Sequence, residues 1–399
     1  MCILLITILH YRLGVQLRGG IAMKVPIVLM RGGTSKGVFL QKEHLPSDVS
    51  QWTDFLLDLM GSPDHRQIDG LGGGNSLTSK VAIINKSNEY GIDLEYTFAQ
   101  VSILQRTVDF KGNCGNISSA VASYAIHTGL ISFTEPITKV RILNTNTNKI
   151  IEAEVEVQNG KVVTEGDIEI PGVPGTGSPI YLTFQAGEGA VTKKLYPTGR
   201  PIDRINIDNH QLDISIVDYA NPLVYVNAED IGLNGTELPH EISEEVLQLC
   251  EKIRGKAAEM CGFCKAEEAK VKSPAVPKLT IVSQPKDYID SYGRFHKGDS
   301  MDIQIRMLSM QQPHGALAIT GAICTSAAIF LSETILNRFV TCKQEVIRLA
   351  HPGGIMQTKL VVANNKIQGI KVIRTARVLL SGVAYTKNNY EQFNYRQSV

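Results

Sequence analysis

From Met23 onward, short apolar runs alternate with polar, glycine-bearing breaks. VPIVLM and VFLQ flank the loop RGGTSKG (31–37), and two runs so close together predict a hairpin-like pair of strands. Between Pro46 and Gly61 the apolar positions Trp52, Phe55, Leu56 and Met60 follow helical spacing, with Ser47 as the expected N-cap and Gly61 and Pro63 as the stop. VAII reads as a strand that starts directly after Lys80, and TFAQVSILQRTVDF (97–110) as a second β-like run. A turn of Gly112, Asn113, Gly115 and Asn116 follows, then the small-residue helical run SSAVASYAI. Residues 140–163 alternate apolar and polar around an Asn159-Gly160 turn, which predicts an antiparallel sheet and not βαβ units.

The second half repeats the theme. After the breaks at 171–179 and 187–201 come the strand-like runs DRINI, LDISIVD and PLVYVNA, a helix around Glu244, Glu245, Val246, Leu247 and Ile253, and the strand KLTIVS. Arg306, Met307, Met310 and His314 are expected on a helix and the loop after it, the two methionines as core packing. ITGAICTSAAIFL (319–331) has the same form as the first helical run, a Gly-bearing turn opening a Ser/Ala-rich helix. Laying Ser118-Ser119-Ala120 over Thr325-Ser326-Ala327 puts Gly321 opposite Cys114. The end of the chain reads as a hairpin and a basic last strand, with an Asn364-Asn365 turn. The expected fold is α+β, with two related lobes, each a mostly antiparallel sheet around a central helix. Residues 23–187 with 372–399 are expected to form one lobe, carrying Lys80 and Cys114, and 188–371 the other.

A chain of 399 residues suits two cores better than one. Forty basic against 39 acidic residues speak against a nucleic-acid partner, and 43% hydrophobic residues are ordinary for a globular protein. Seven scattered cysteines, Cys2, Cys114, Cys250, Cys261, Cys264, Cys324 and Cys342, fit free thiols in a reducing compartment, so the expected location is cytoplasmic. The pair Cys261/Cys264 has no second pair or histidine at zinc spacing, and no metal is expected. Residues 1–22 begin apolar but lack a basic n-region and are too short a run to span a bilayer, so no membrane partner is expected. They read as an upstream extension or a mis-set start.

Candidate chemistry gathers at the turn before the first small-residue helix. Cys114 lies where unpaired backbone N–H groups carry partial positive charge, a setting that activates a thiol and receives a carboxylate. The bland alternative is a tight turn around a buried cysteine. Lys80 ends a glycine-dense loop that also holds Asn75, and reads either as a solvated strand-edge charge or as a cation brought close to a ligand. Arg31, Thr34, Ser35 and Lys36 put anion-friendly donors on one loop that does not fit GxxxxGK[ST]. His351, before Pro-Gly-Gly, reads equally well as structural or functional. A nucleophilic thiol would need a histidine; His127 lies too far along the same helix, leaving His65, His314 and His351.

Taken together, RGGTSKG (31–37), IDGLGGGNSLTSK (68–80), FAQV (98–101), GNCGN (112–116), NTNT (144–147), SPAVPK (273–278), TGA (320–322) and HPGG (351–354) resemble the PrpF family, which has the diaminopimelate epimerase fold. The wording is nearest to its 3-methylitaconate Δ-isomerase branch. The resemblance implies an isomerase that moves a proton allylically in a small unsaturated di- or tricarboxylate, with no cofactor. It carries the family's lysine to Lys80, its cysteine to Cys114 and its loop serine to Ser35. Thr34, Asn75, Asn113, Gly115, Asn116, Thr320, Gly321, Ala322 and His351 are the expected substrate-binding positions. Diaminopimelate epimerase uses paired cysteines, whereas here the second counterpart is Gly321, which leaves Lys80 as the partner for Cys114. HPGG departs from HPSG. A homodimer or higher homo-oligomer is expected, and a carboxylate-binding accessory role for a partner dehydratase is the non-enzymatic alternative.

Overall fold

The computed structural model describes residues 23–110, 113–184, 187–208, 210–331, 333–340 and 345–390. The expected extension at 1–22, Gly112, Cys2 and Cys342 lie outside the described residues.

In the first half, β1 (Lys24–Gly32), β2 (Ser35–Gln41), β3 (Lys80–Lys86), β4 (Leu94–Val101), β5 (Ile137–Asn144) and β6 (Lys149–Gln158) follow in order. Helix α1 (Trp52–Met60) lies between β2 and β3, and helix α2 (Gly115–His127) between β4 and β5. Successive strands pair antiparallel, parallel, antiparallel, parallel and antiparallel. Each parallel step comes where a helix intervenes, because a parallel return needs a long crossover.

After β7 (Ile180–Phe184) and β8 (Asp203–Ile207) the pattern recurs through β9 (His210–Tyr219), β10 (Asn221–Asn227), β11 (Lys278–Ser283), β12 (Ile303–Ser309), β13 (Val346–His351) and β14 (Gly354–Ala363). These strands pair in the same five-step order. Helix α3 (Glu244–Met260) takes the place of α1, and helix α4 (Ile319–Leu331) the place of α2. The two pseudo-symmetric halves join through β7, which pairs with β6 and with β15 (Lys366–Arg374), itself paired with β14. Strand β16 (Ala376–Tyr385) returns to pair with β1.

The strands alternate between two apolar layers. In β3, Ala82 and Ile84 face the core around α2 and α4, while Val81 and Ile83 face the core around α1. Helix α2 is buried from Ile117 through Ile126, which suits a helix enclosed by sheet. Two of its buried hydroxyls are matched locally: Ser118 Oγ donates to Cys114 O or Asn113 Oδ1 (each 3.0 Å), and Ser119 Oγ to Asn116 O (2.6 Å), whereas the buried Ser123 Oγ has no partner among the described residues.

Three local expectations change. Asp48, not Ser47, caps the first turn by accepting from Ser50 N, and α1 proper begins at Trp52. Residues 303–309 are strand and not helix: Ile303, Ile305 and Met307 alternate into the central core, a period of two that the Met307/Met310 spacing obscured. Met310, at positive φ beyond the strand, is exposed and packs no core.

Candidate active site

A cavity of about 520 Å³ opens where the starts of α2 and α4 meet. The meeting is close: a Cβ built on Gly115 would lie 2.6 Å from Ile319 Cδ1 and 3.0 Å from Ile319 Cβ. Only glycine lets the two helix starts abut. The first intrahelical bonds run from Ser118 N to Cys114 O (2.9 Å) and from Ala322 N to Ala318 O (2.8 Å). In each helix the three preceding N–H groups therefore have no partner within the helix, and both ends bring partial positive charge to the cavity wall.

Cys114 is the N-cap of α2, in extended conformation, and its side chain caps nothing. Sγ lies 4.0 Å from Ser35 Oγ on β2. The hairpin that carries Thr34 and Ser35 is pressed onto the helix start, with Gly33 at φ +50° and its missing Cβ only 2.3 Å from Asn116 Oδ1. Asn116 Nδ2 donates to Thr34 Oγ1 (3.0 Å), and Asn116 Oδ1 accepts from Arg374 Nε (3.2 Å).

Lys80 is the first residue of β3 and is buried. Its position is set by the glycine-dense loop before it, which the buried Gln67 amide staples: Nε2 donates to Ser79 Oγ (2.7 Å), and Oε1 accepts from Gly74 N (3.0 Å). Lys80 Nζ donates to Gln100 Oε1 at 2.5 Å and lies 5.2 Å from the Phe98 ring centre. Gln100 is held in that orientation because its Nε2 donates to Ser79 O (2.9 Å) and Ser76 O (3.3 Å).

Thr34, Ser35, Asn113, Gly115, Asn116, Thr320 and His351 line the cavity with Lys80 and Cys114. Asn75, Gly321 and Ala322 do not. Asn75 is exposed and accepts from Leu77 N (2.9 Å), shaping the loop. Gly321 is buried in the third position of α4, where a Cβ would meet Met307 Cε at 2.1 Å. Aligning the first hydrogen-bonded turns makes Ala318 the counterpart of Cys114, three residues earlier than the Ser/Ala match suggested. Repeated small residues left that register open by one helical turn.

Sequence reasoning passed over two wall residues, Arg374 and Lys278. Arg374, the last residue of β15, is buried; burial pushes its guanidinium down to about 10, with the Cys114 sulfur opposing. Lys278, the first residue of β11, is partly buried, and that burial lowers its pKa. Lys278 closes the SPAVPK motif, which gave a hint without a role. His314 lies on the loop before α4. Its Nδ1 lies 2.6 Å from Ala316 O and 3.1 Å from Ala316 N, so the backbone at Ala316 holds the ring in place. Burial, and then the Lys278 charge, hold His314 toward its neutral form. His351 is pushed down to about 3 by burial and by Arg374, Arg306 and His314, and its Nδ1 accepts from Gly353 N (3.1 Å). Three cationic side chains thus line the cavity, and among the described residues no Asp or Glu does.

A sequence profile described as PrpF protein matches residues 22–387. The chain belongs to the PrpF family. It is 53% identical to YraM of Bacillus subtilis (strain 168), over 92% of this chain and 99% of that protein. It is 42% identical to the 3-methylitaconate isomerase of Eubacterium barkeri, over 92% and 98% of the two chains. The solved structure of a methylitaconate-delta-isomerase superposes with a TM-score of 0.85 at 42% identity, covering 92% of this chain and 96% of that one. The family, the isomerase class and the two-lobed fold expected from the motifs are all borne out. This PrpF-family protein is an isomerase. No described helix is long and apolar enough to cross a membrane.

Proposed function

We propose that the protein moves a proton allylically in a small unsaturated di- or tricarboxylate, without a cofactor, and that Lys80 and Cys114 handle the proton. The observation that carries this reading is the charge of the cavity: Lys80, Lys278 and Arg374 face it with no carboxylate to neutralise them, so an anionic ligand supplies the missing charge. Taking a proton γ to a carboxylate across a double bond gives a dienolate whose charge spreads onto the carboxylate oxygens. The unpaired N–H groups at the starts of α2 and α4, with Ser35 and Asn113, are placed to stabilise that charge as it forms. A base on one side of the cavity takes the proton from one carbon, and an acid returns a proton to the far end of the allyl system.

The relatives' names direct the choice of acids: 3-methylitaconate first, then 2-methylaconitate and oxalomesaconate, with aconitate as a fourth. A cytoplasmic location and a homo-oligomeric assembly belong to the same proposal. Proton NMR of each acid with the purified protein in deuterated water tests it. A shifted double bond with deuterium at the allylic carbon is the expected result. Tight binding of all four acids with neither exchange nor isomerisation would leave only a carboxylate-holding accessory role.

A further inference from the structure

The internal repeat relates Lys80 to a second lysine. Each half has a third strand that begins with lysine, Lys80 on β3 and Lys278 on β11. Each strand enters by the same parallel step, beside β2 or β10, and leaves by the same antiparallel step, to β4 or β12. The side-chain faces agree as well. Val81 and Ile83 turn to the α1 core, and Leu279 and Ile281 to the α3 core. Ala82 and Val282 turn to the central core around α2 and α4, so both lysines lie on the central-helix face. Both line the cavity.

The two lysines differ in what holds them. Lys80 is fixed by Gln100, its cross-strand partner on β4. The pairing of β11 with β12 ends at Thr280 opposite Met307, so no residue of β12 stands across from Lys278 as Gln100 stands across from Lys80. Among the described residues Lys278 has no hydrogen-bond or ion-pair partner, yet it is partly buried. A cation drawn out of water and left unpaired is costly unless a ligand completes it. Arg374, another cavity cation without a carboxylate partner among the described residues, sits at the start of α2 against Asn116, whereas the Lys278 charge acts on His314 at the approach to α4. The unpaired charges therefore belong to different walls.

We propose that Lys278 forms a second carboxylate subsite, taking a substrate carboxylate remote from the one held at the start of α2, and so selects di- and tricarboxylates over monocarboxylates. This rests on the isomerase reading above for its kinetic arm alone. The test compares wild type, Lys278→Met and Lys278→Arg on an unsaturated dicarboxylate and on its monomethyl esters, and measures calorimetric binding of tricarballylate, a saturated tricarboxylate. Loss of a charge-assisted contact is expected to raise KM for the diacid about tenfold to a hundredfold and to weaken tricarballylate by a similar factor. The ester lacking the remote charge should change by less than about twofold, and Lys278→Arg, which keeps the charge, should recover most of the loss. Equal loss on diacid and ester, or tricarballylate bound by Lys278→Met as tightly as by wild type, would overturn the subsite. If wild type isomerises none of the acids but binds tricarballylate in a Lys278-dependent way, the isomerase reading falls and the subsite stands.

Discussion

The Gln100 amide turns its oxygen toward the Lys80 ammonium at 2.5 Å, while its nitrogen is spent on the carbonyls of Ser79 and Ser76. The lysine side chain is thus aimed by a residue on the neighbouring strand. Replacing Gln100 with Leu removes the acceptor but keeps the volume. The expected result is a kcat lowered about 10- to 100-fold with KM changed by less than about threefold, since geometry is lost and not charge. Steady-state kinetics on the best of the four acids checks it. Gln100→Glu should instead raise KM, because it puts a carboxylate beside a cavity that has none.

Gly115 is the second point of leverage. In an ordinary helix Gly→Ala stabilises by up to about 1 kcal/mol. Here the new methyl runs into the branched Ile319 side chain, and overpacking of that kind costs about 1–3 kcal/mol. Gly115→Ala should therefore lower stability by up to about 2 kcal/mol and push the two helix starts apart, with a clear loss of activity. Combining it with Ile319→Ala, which makes room but itself truncates a buried core side chain, should cost less than the two single changes added together. Denaturant melts of the single and double variants test the coupling.

His351 makes a pH prediction. Its folded pKa is about 3, below the free value near 6.5, so the folded state holds the ring neutral where the unfolded chain protonates it. Its contribution is fully present above about pH 6.5 and is lost as pH falls from there toward 3, with a slope approaching about 1.4 kcal/mol per pH unit. His314, depressed in the same direction, adds to the loss. Unfolding free energies measured between pH 7 and about 4 should fall, and His351→Gln should flatten the curve. An unchanged slope in that variant would show that other groups govern the acid limb.

The sequence made the local elements readable where the signal was local. The hairpin around RGGTSKG and the helix of residues 319–331 follow from turn residues and spacing alone, and Cys114 at a helix start follows from GNCGN. What sequence could not convey was which strand ends converge. Arg374, Gln100 and Lys278 come from three different strands and meet at one cavity or its lysine only through the pairing order. Along the chain, each is an ordinary polar residue beside an apolar run. Gly321 shows the converse: its small size serves Met307 in the core, and the likeness to a cysteine position was an accident of Ser/Ala repetition.

Isomerisation and solvent exchange by Lys80→Ala and Cys114→Ala, followed by proton NMR in deuterated water, test the central claim most directly. Each variant should keep a melting temperature near that of wild type and lose both isomerisation and deuterium incorporation by at least about a hundredfold. A Cys114→Ala protein that isomerises and exchanges at close to the wild-type rate would contradict the account.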